Sequence, residues 1–480
     1  MRFLRILLDE TFVKYPLSMG VFVSAGVFLL YAGTLAPEVG WGDSAELSLV
    51  AYQLGLSHPP GYPFHAILGK AMTMLFSEPA IGTNLLSAIC TSLAAGVMSM
   101  ILFDLTARAM ISIAVPVLFS VLPNIWEMAV VTEVYNVNIF FLGVSIYLFL
   151  KAEQSDFSKY LFPSAVLFGL SLGIYQANLL LLPVFLLALR MRSPGNRVMG
   201  RLLLFCSIVG IIWILFAGYA VIRSRAALAI NYPLNSLQEI VTYVTGANLS
   251  PPFPQDPAYY VNRTLEHARV FSKNFLYLPI PFGLLGAVVL FLSRRAPALF
   301  LTLLFAVNYL FFSYYAVSDY LTMPTPSYFV FSIFIGYGLA FLSRRWSTEN
   351  RAAEYAGVAV CALLVGAQLF LQFPARFERS NTMPVTDLII PALEAFPQDA
   401  IVISRWERFA PMLYFQQTRD LRTDVTLAVS DDYLAQIDAY YNGMPGSRIL
   451  IDNQDRELTE KYRIKRFHRR WFLIVAPAEN

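Results

Sequence analysis

The stretch GDSAELSLVAYQLGLSHPPGYPFH, residues 42–65, follows the first long apolar run of the chain. It places two carboxylates, Asp43 and Glu46, at the start of a segment in which apolar residues recur at helical spacing. Gly55 then supplies a helix stop. The pattern predicts a short amphipathic helix over residues 43–55 that lies along a membrane surface.

The two carboxylates of this helix have a local and a chemical interpretation. Locally, Asp43 at the N-cap and Glu46 three residues later form a capping box that satisfies free backbone N–H groups. Chemically, the same pair provides a general base and an orienting partner for an acceptor hydroxyl. The corner HPPGYP (58–63) is stiffened by its prolines and holds His58 beside the carboxylates, as a structural residue or as a substrate ligand. The local sequence leaves these alternatives open.

The composition is that of a polytopic membrane protein. Of the 480 residues, 57% are hydrophobic and only 14% are charged, and the mean hydropathy is +0.56. The net charge is only +3, which gives no reason to expect a nucleic-acid partner. Apolar runs long enough to cross a bilayer predict eleven spans, at residues 17–36, 80–104, 109–130, 137–150, 160–175, 177–189, 202–222, 274–293, 297–316, 325–342 and 352–372.

Basic residues alternate between the two ends of these spans. They cluster on one side, at residues 2–14, 108, 151–159, 190–201, 294–295 and 344–351, whereas Lys70 is the only one in the short opposite loops. Because basic loops stay in the cytoplasm, we expect an internal N-terminus and an uncleaved first span. An odd number of crossings then places the C-terminus outside.

This topology divides the chain into a membrane module, residues 1–374, and an outer domain, residues 375–480. The outer loops of the module are residues 37–79 and 223–273. The C-terminal part alternates short period-two apolar runs, at 400–404, 424–430 and 448–451, with amphipathic runs. That alternation predicts a small α/β domain with a partly parallel sheet.

Four more polar residues stand at predicted outer boundaries of the membrane. Glu133 is either a solvated acid or faces the same cavity as Asp43. Arg223 and Arg225 follow a span on the outer side, where a guanidinium either snorkels to headgroups or binds a phosphate through two parallel hydrogen bonds. Asp319 lies in a tyrosine-rich outer turn and is a weaker candidate for lining the cavity.

The stretch 43–63 carries a long pattern, D-S-x-E-x(3)-A-x-x-L-G-x-x-H-P-P-G-Y-P, that resembles the signature of the DUF2723 family of protein O-mannosyltransferase-like membrane proteins, which includes the TMEM260-type enzymes. The resemblance covers most of the chain. Further matching stretches are GTNLLSAIC (82–90), TEVYNVN (132–138), GLSLGIYQANLLLLP (169–183), VIRSRAALAINYP (221–233) and DAIVISRWERFAPMLYFQQTRDLRTDV (399–425).

The resemblance implies a GT-C class glycosyltransferase, in which the first outer loop of a helical membrane module carries the catalytic acid and a polyprenyl-phosphate sugar is the donor. The family's acidic pair falls on Asp43 and Glu46, which we take as catalytic. At Gln176 this chain departs from the family, since many relatives have His after GLSL. The candidate substrate-binding residues are His58, Tyr62, Glu133, Gln176, Arg223, Arg225 and Asp319.

The sequence therefore predicts an inverting transfer of a hexose, mannose by family analogy, to a hydroxyl of a protein or other acceptor on the outer face of a bacterial inner membrane. A transporter or flippase of lipid-linked substrates and a non-catalytic scaffold for the outer domain are the alternatives. Asp43, Glu46, His58 and Glu133 could supply metal ligands, but no short His/Cys cluster with ligand spacing exists. We predict no metal and no cofactor.

Overall fold

The computed structural model describes residues 16–154, 157–192, 195–246, 256–315, 321–346, 352–443, 448–453 and 456–477. These residues are mostly helical. The helices are α1 (Pro16–Ala32), α2 (Asp43–Gln53), α3 (Pro63–Thr73), α4 (Pro79–Thr106), α5 (Ala109–Ser120), α6 (Pro123–Ala129), α7 (Val134–Gln154), α8 (Phe157–Leu172), α9 (Leu182–Arg192), α10 (Val198–Arg223), α11 (Leu237–Thr245), α12 (Pro257–Asn274), α13 (Ile280–Ser293), α14 (Arg295–Tyr314), α15 (Thr325–Trp346), α16 (Ala352–Ser380), α17 (Pro384–Ala395), α18 (Trp406–Arg419), α19 (Tyr433–Gly443) and α20 (Arg456–Lys461). A short 3-10 helix, Gln176–Leu181, leads into α9.

Apolar helices coincide with every predicted membrane segment. In the described part of the chain, six segments are long and apolar enough to cross a bilayer: α4, α7, α10, α14, α15 and Tyr355–Ala395. Helices α5 and α6 make a seventh if the pair, bent by 72°, is one span. The remaining apolar segments are shorter and correspond to α1, α8, α9 and α13. The protein is thus an integral membrane protein, and the number of eleven crossings stays a prediction.

Helix α2 is covered by protein, which its amphipathic spacing did not predict, and its position relative to a membrane surface stays a prediction. Residues 44–51 are all buried, polar ones included. Helices α3 and α4 pack on α2 from the membrane module, and α18 packs on it from the C-terminal part of the chain. Ser48 Oγ lies 2.9 Å from Thr83 Oγ1 and 3.0 Å from Thr132 Oγ1. The polar residues of α2 therefore meet protein groups instead of water or lipid headgroups.

The C-terminal residues form a five-stranded mixed sheet in the order β2-β1-β3-β5-β4. Strands β1, β2 and β3 are parallel to one another, and β5 pairs antiparallel with β3 and β4. All four residues of β1 are buried, as expected for a central strand covered on both faces. The strands are β1 (Ile401–Ser404), β2 (Thr426–Val429), β3 (Ile449–Ile451), β4 (Tyr462–His468) and β5 (Trp471–Pro477).

Carboxylates of residues 37–79 attach the C-terminal segment to the membrane helices. The Glu38 carboxylate accepts hydrogen bonds from the backbone N–H groups of Val385, at 2.9 Å, and Thr386, at 2.8 Å. It thereby caps the N-terminus of α17, where free N–H groups and the helix dipole favour a negative charge. The Tyr414 hydroxyl contacts the Glu78 carboxylate and accepts the N–H of Ala80 at 3.0 Å.

We expect Glu38→Gln to loosen this attachment. The amide keeps the shape of the side chain, but its NH2 group cannot accept a hydrogen bond. One of the two bonds to α17 is therefore lost, the other weakens, and stability falls by about 1–2 kcal/mol. The unfolding midpoint of the purified protein measures the effect. Asp387→Asn is the control, since Asp387 is an exposed acid in the first turn of the same helix. Equal midpoints for Glu38→Gln and wild type would contradict the capping role.

Candidate active site

Asp43 is the first residue of α2 and points away from the helix backbone. The N-cap is Gly42, with φ of 51°, and it makes no side-chain capping hydrogen bond. Asp43 Oδ1 instead accepts a hydrogen bond of 2.6 Å from the indole Nε1 of Trp406. The capping-box interpretation is therefore wrong, because the predicted N-cap residue lies one position inside the helix and its carboxylate is used elsewhere.

Glu46, His58 and Tyr62 form a chain of hydrogen bonds. The Glu46 side chain is fully buried, and its Oε2 lies 2.5 Å from His58 Nδ1. Its other oxygen, Oε1, accepts the backbone N–H of His58 at 2.6 Å. On the far side of the ring, His58 Nε2 lies 3.1 Å from the Tyr62 hydroxyl. Glu46 thus fixes both the backbone and the ring of His58. The histidine lies beside the carboxylates, where the proline-stiffened corner is expected to hold it.

The charges around His58 favour the protonated imidazole. Burial disfavours the charged ring, but the Glu46 carboxylate and its hydrogen bond outweigh burial and, with the charges of Asp43 and Glu133, raise the pKa of His58 to about 9. Burial raises the pKa of Glu46, and His58 opposes that rise. Because a protonated imidazole donates from both nitrogens, Nε2 donates to the Tyr62 oxygen. With the ring in that form, the Tyr62 hydroxyl keeps its own proton as a donor.

Arg223 holds the opposite end of α2. Its Nε donates to the carbonyl of Leu54 at 2.6 Å, and a terminal nitrogen donates to the carbonyl of Gln53 at 3.0 Å. Leu54, and not the predicted Gly55, adopts the left-handed conformation that ends the helix, with φ of 50°. The last carbonyls of a helix lack intrahelical partners, so the guanidinium stabilises a strained C-terminus. Arg225 is exposed.

A cavity of about 450 Å³ opens beside Asp43, His58 and Tyr62. These three residues contribute polar groups to its lining, and its walls are otherwise mainly aromatic and apolar. Gln176 also lines it and donates to the carbonyl of Val244. The aromatic wall comprises Tyr135, Tyr175, Phe311, Phe312 and Tyr315. Such a cavity suits a ligand with a polar head and an apolar tail.

Glu133, Arg223 and Arg225 are not among the described residues that line this cavity. Glu133 lines a second cavity of about 350 Å³ together with Glu38, Trp41 and Ser44. Its charge nevertheless acts on His58 and Tyr62. Asp319 lies outside the described residues. The structure therefore brings together Asp43, Glu46, His58, Tyr62 and Gln176. Glu133 lies in the second cavity, and Arg223 lies at the far end of α2.

Asp43, Glu46 and His58 also offer three ligand atoms within 4.8 Å of one another. Carboxylate oxygens and an imidazole nitrogen could bind a divalent cation. However, Nδ1 of His58 is already hydrogen-bonded to Glu46, and Oδ1 of Asp43 to Trp406. Hydrogen bonds within the protein account for the arrangement, and the expectation of no metal stays a prediction.

No sequence pattern indicates the role of Trp406. It lies 363 positions from Asp43, in the stretch 399–425 that carries part of the family resemblance. Neither local pattern nor spacing connects a tryptophan in the C-terminal part of the chain with a carboxylate in the first loop. Only the packing of α18 on α2 brings the two together.

The fold is shared with membrane enzymes of the GT-C class. ArnT from Cupriavidus metallidurans in the apo state superposes with a TM-score of 0.65 and 13% identity, over 95% of this chain and 97% of ArnT. ArnT bound to undecaprenyl phosphate gives 0.64 over the same shares. The archaeal oligosaccharyltransferase AglB from Archaeoglobus fulgidus, in complex with an inhibitory peptide and a dolichol-phosphate, gives 0.53 and 11% identity, over 92% of this chain and 70% of AglB.

The N-terminal part of the chain is similar to a particular family. Residues 43–197 match the model of the Protein O-mannosyl-transferase TMEM260 N-terminal domain. Protein O-mannosyl-transferase TMEM260 of Mus musculus is 31% identical over 164 residues, which are 34% of this chain and 23% of the mouse protein. The relative from Dictyostelium discoideum is 26% identical over 125 residues, 25% of this chain and 15% of that protein. The matches span less than a quarter of these relatives, and they confirm the predicted resemblance.

We expect the Glu46–His58 pair to make stability depend on pH. A pKa raised from 6.5 to about 9 in the folded protein contributes stability that is complete below pH 6.5 and is lost as pH rises through 9. Wild type should lose about 3 kcal/mol across this window, as measured by its unfolding midpoint. Glu46→Gln should flatten that slope, since it removes the charge. Parallel curves for the two proteins would disprove the charged pair.

Proposed function

We propose that this protein transfers a hexose, mannose by analogy with the named relatives, from a polyprenyl-phosphate donor to a hydroxyl of a protein or other acceptor. The observation that supports the proposal best is that Asp43, together with His58 and Tyr62, lines a cavity whose walls are mainly aromatic and apolar. The fold is shared with a protein solved with undecaprenyl phosphate bound. A lipid-linked sugar would place its isoprenoid tail along the aromatic wall and its sugar beside Asp43.

In the proposed reaction Asp43 is the general base. It takes the proton of the acceptor hydroxyl while the hydroxyl oxygen forms a bond to the anomeric carbon. The bond between that carbon and the phosphate oxygen breaks, and polyprenyl phosphate leaves with the electron pair. One displacement inverts the anomeric configuration and needs no covalent intermediate, because phosphate is already a competent leaving group. Glu46 acts through His58, since it is fully buried and does not itself line the cavity.

The phosphate needs a cation at the cavity, and His58 is better placed for this than Arg223. His58 lines the cavity, and its raised pKa supplies a positive charge that stabilises the departing phosphate. Arg223 uses two of its nitrogens to hold the backbone of α2, and neither Arg223 nor Arg225 is among the described residues that line this cavity. We therefore propose that Arg223 keeps α2 in place and that His58 and Tyr62 bind the donor head.

We place this reaction on the outer face of a bacterial inner membrane. The basic loops predict a cytoplasmic side, and Asp43 and the C-terminal sheet lie on the opposite side of the predicted topology. Acceptor hydroxyls would then reach the site from the periplasm. Glu133, in the neighbouring cavity, is placed to orient either the acceptor or the sugar.

Asp43→Asn tests the proposed base. We expect transfer to fall by at least about 100-fold, since an amide cannot accept the proton, while donor binding is unchanged. The measurement follows label from undecaprenyl-phosphate [³H]mannose into a pool of membrane-derived acceptors, with Asp387→Asn as the exposed-acid control.

Equal transfer by Asp43→Asn and wild type would reject the base. Movement of the labelled lipid across proteoliposomes without any glycosylated product would instead support a flippase, and loss of transfer after EDTA treatment would overturn the expectation of a metal-free site.

The substitutions His58→Gln and Arg223→Lys test which of these two cationic side chains binds the phosphate. We expect His58→Gln to weaken binding of undecaprenyl phosphate by about 10-fold or more, because the positive charge beside the cavity is lost. Arg223→Lys should lower the unfolding midpoint, since lysine cannot replace both hydrogen bonds to α2, with little effect on that binding. Native mass spectrometry measures the binding. The reverse pattern, with affinity lost only in Arg223→Lys, would show that Arg223 is the residue that binds the phosphate.

A further inference from the structure

The catalytic base proposed for the first loop is in direct contact with the C-terminal part of the chain. Trp406 is the first residue of α18, and its indole N–H donates to Asp43 Oδ1 at 2.6 Å. The adjacent residues form a second link, because the N–H of Gly42 donates to the carbonyl of Glu407 at 3.2 Å. Asp43 is thus held by its side chain and, through its neighbour, by its backbone.

Trp406 is itself fixed in place. Its ring stacks on Phe409, with centroids 5.8 Å apart and planes 25° from parallel, and it packs against an apolar cluster shared by α2 and the C-terminal segment. Gln417, on the same helix, accepts a hydrogen bond of 3.1 Å from Gln53 at the end of α2. Helix α18 therefore contacts α2 at both ends, and the indole cannot drift away from the carboxylate unless the helices separate.

We propose that Trp406 is a positioning residue that holds Asp43 in its reactive orientation, so that the C-terminal part of the chain completes the active site. This inference rests on the proposed role of Asp43 as base. An aspartate at the first position of a helix has several accessible rotamers. A single strong donor on Oδ1 selects one of them and leaves the other oxygen, Oδ2, for the acceptor hydroxyl.

The geometry around Gly42 fits this role. Gly42 has a positive φ of 51°, which side chains rarely adopt, and an added Cβ would contact Trp406 and Glu407 at 3.7–3.8 Å. A glycine at this position lets the loop turn sharply into α2 directly beneath the indole. The same turn aims Asp43 at both Trp406 and the cavity.

The first test does not depend on enzyme activity. The chain has six tryptophans, so labelling with 5-fluorotryptophan gives a ¹⁹F spectrum in which Trp406→Phe identifies one resonance. We expect this resonance to move with pH in wild type, as the carboxylate that accepts its hydrogen bond gains a proton, and to stop moving in Asp43→Asn. A Trp406 resonance that responds to neither pH nor Asp43→Asn would overturn the inference.

The second test measures transfer from undecaprenyl-phosphate [³H]mannose at several pH values. In Trp406→Phe the ring stack is retained and the donor N–H is lost, so we expect kcat to fall about 10-fold or more with KM for the donor unchanged. The acidic limb of the pH–rate profile should move to higher pH, since the ionised base loses a hydrogen bond. The control, Phe409→Leu, disturbs the stack but keeps the N–H.

The outcomes separate this inference from the proposed function. A normal kcat and pH profile in Trp406→Phe would reject the positioning role even if wild type is an active transferase. Equal losses in Trp406→Phe and Phe409→Leu with unmoved pH profiles would also reject it, because they indicate damage to packing alone. If wild type transfers no sugar, the proposed function fails with this donor, and the ¹⁹F spectra alone decide whether Trp406 holds Asp43.

Discussion

The Glu46 carboxylate is completely removed from water. A carboxylate in that position must find hydrogen-bond donors or lose its charge. Its two oxygens are satisfied by two groups of one residue, the backbone N–H and the ring Nδ1 of His58. Losing either donor would leave a buried acceptor unpaired, which costs more than the hydrogen bond contributed. The fold of the first outer loop, from α2 to α3, is constrained by this requirement.

The same requirement explains why α2 is held at both ends. A buried helix that carries a fixed carboxylate cannot shift without breaking the Glu46–His58 pair. Arg223 secures its C-terminus through two carbonyls, and α18 secures its N-terminus through Trp406 and the backbone of Glu407. Residues from three distant parts of the chain thus determine where Asp43 lies, and the aromatic cavity opens beside it.

Part of this arrangement could be predicted from the sequence, and the rest could not. Apolar runs located the membrane helices, because hydropathy depends only on nearby residues. The resemblance carried by residues 43–63 led to Asp43, Glu46 and His58. The surface position of α2, however, was inferred from its amphipathic spacing, and that spacing does not reveal which neighbour covers the polar face. The tertiary contacts of Trp406 and Arg223 with α2 leave no local sequence signal, so sequence spacing alone could not assign them.

The placement of charges in the site favours a particular geometry for the proposed reaction. Asp43 and Glu133 are acidic, and a polyprenyl phosphate brings further negative charge, so a donor bound against the acids would be repelled. In an inverting displacement the base and the leaving group stand on opposite sides of the anomeric carbon. Because Asp43 and His58 offer ligand atoms within 4.8 Å of each other, the imidazole does not contact a phosphate on the far side of the sugar and acts on it through its charge, which Glu46 sustains. The buried acid therefore serves the reaction by sustaining a cation, while the half-buried Asp43, oriented by Trp406, is left to accept the proton.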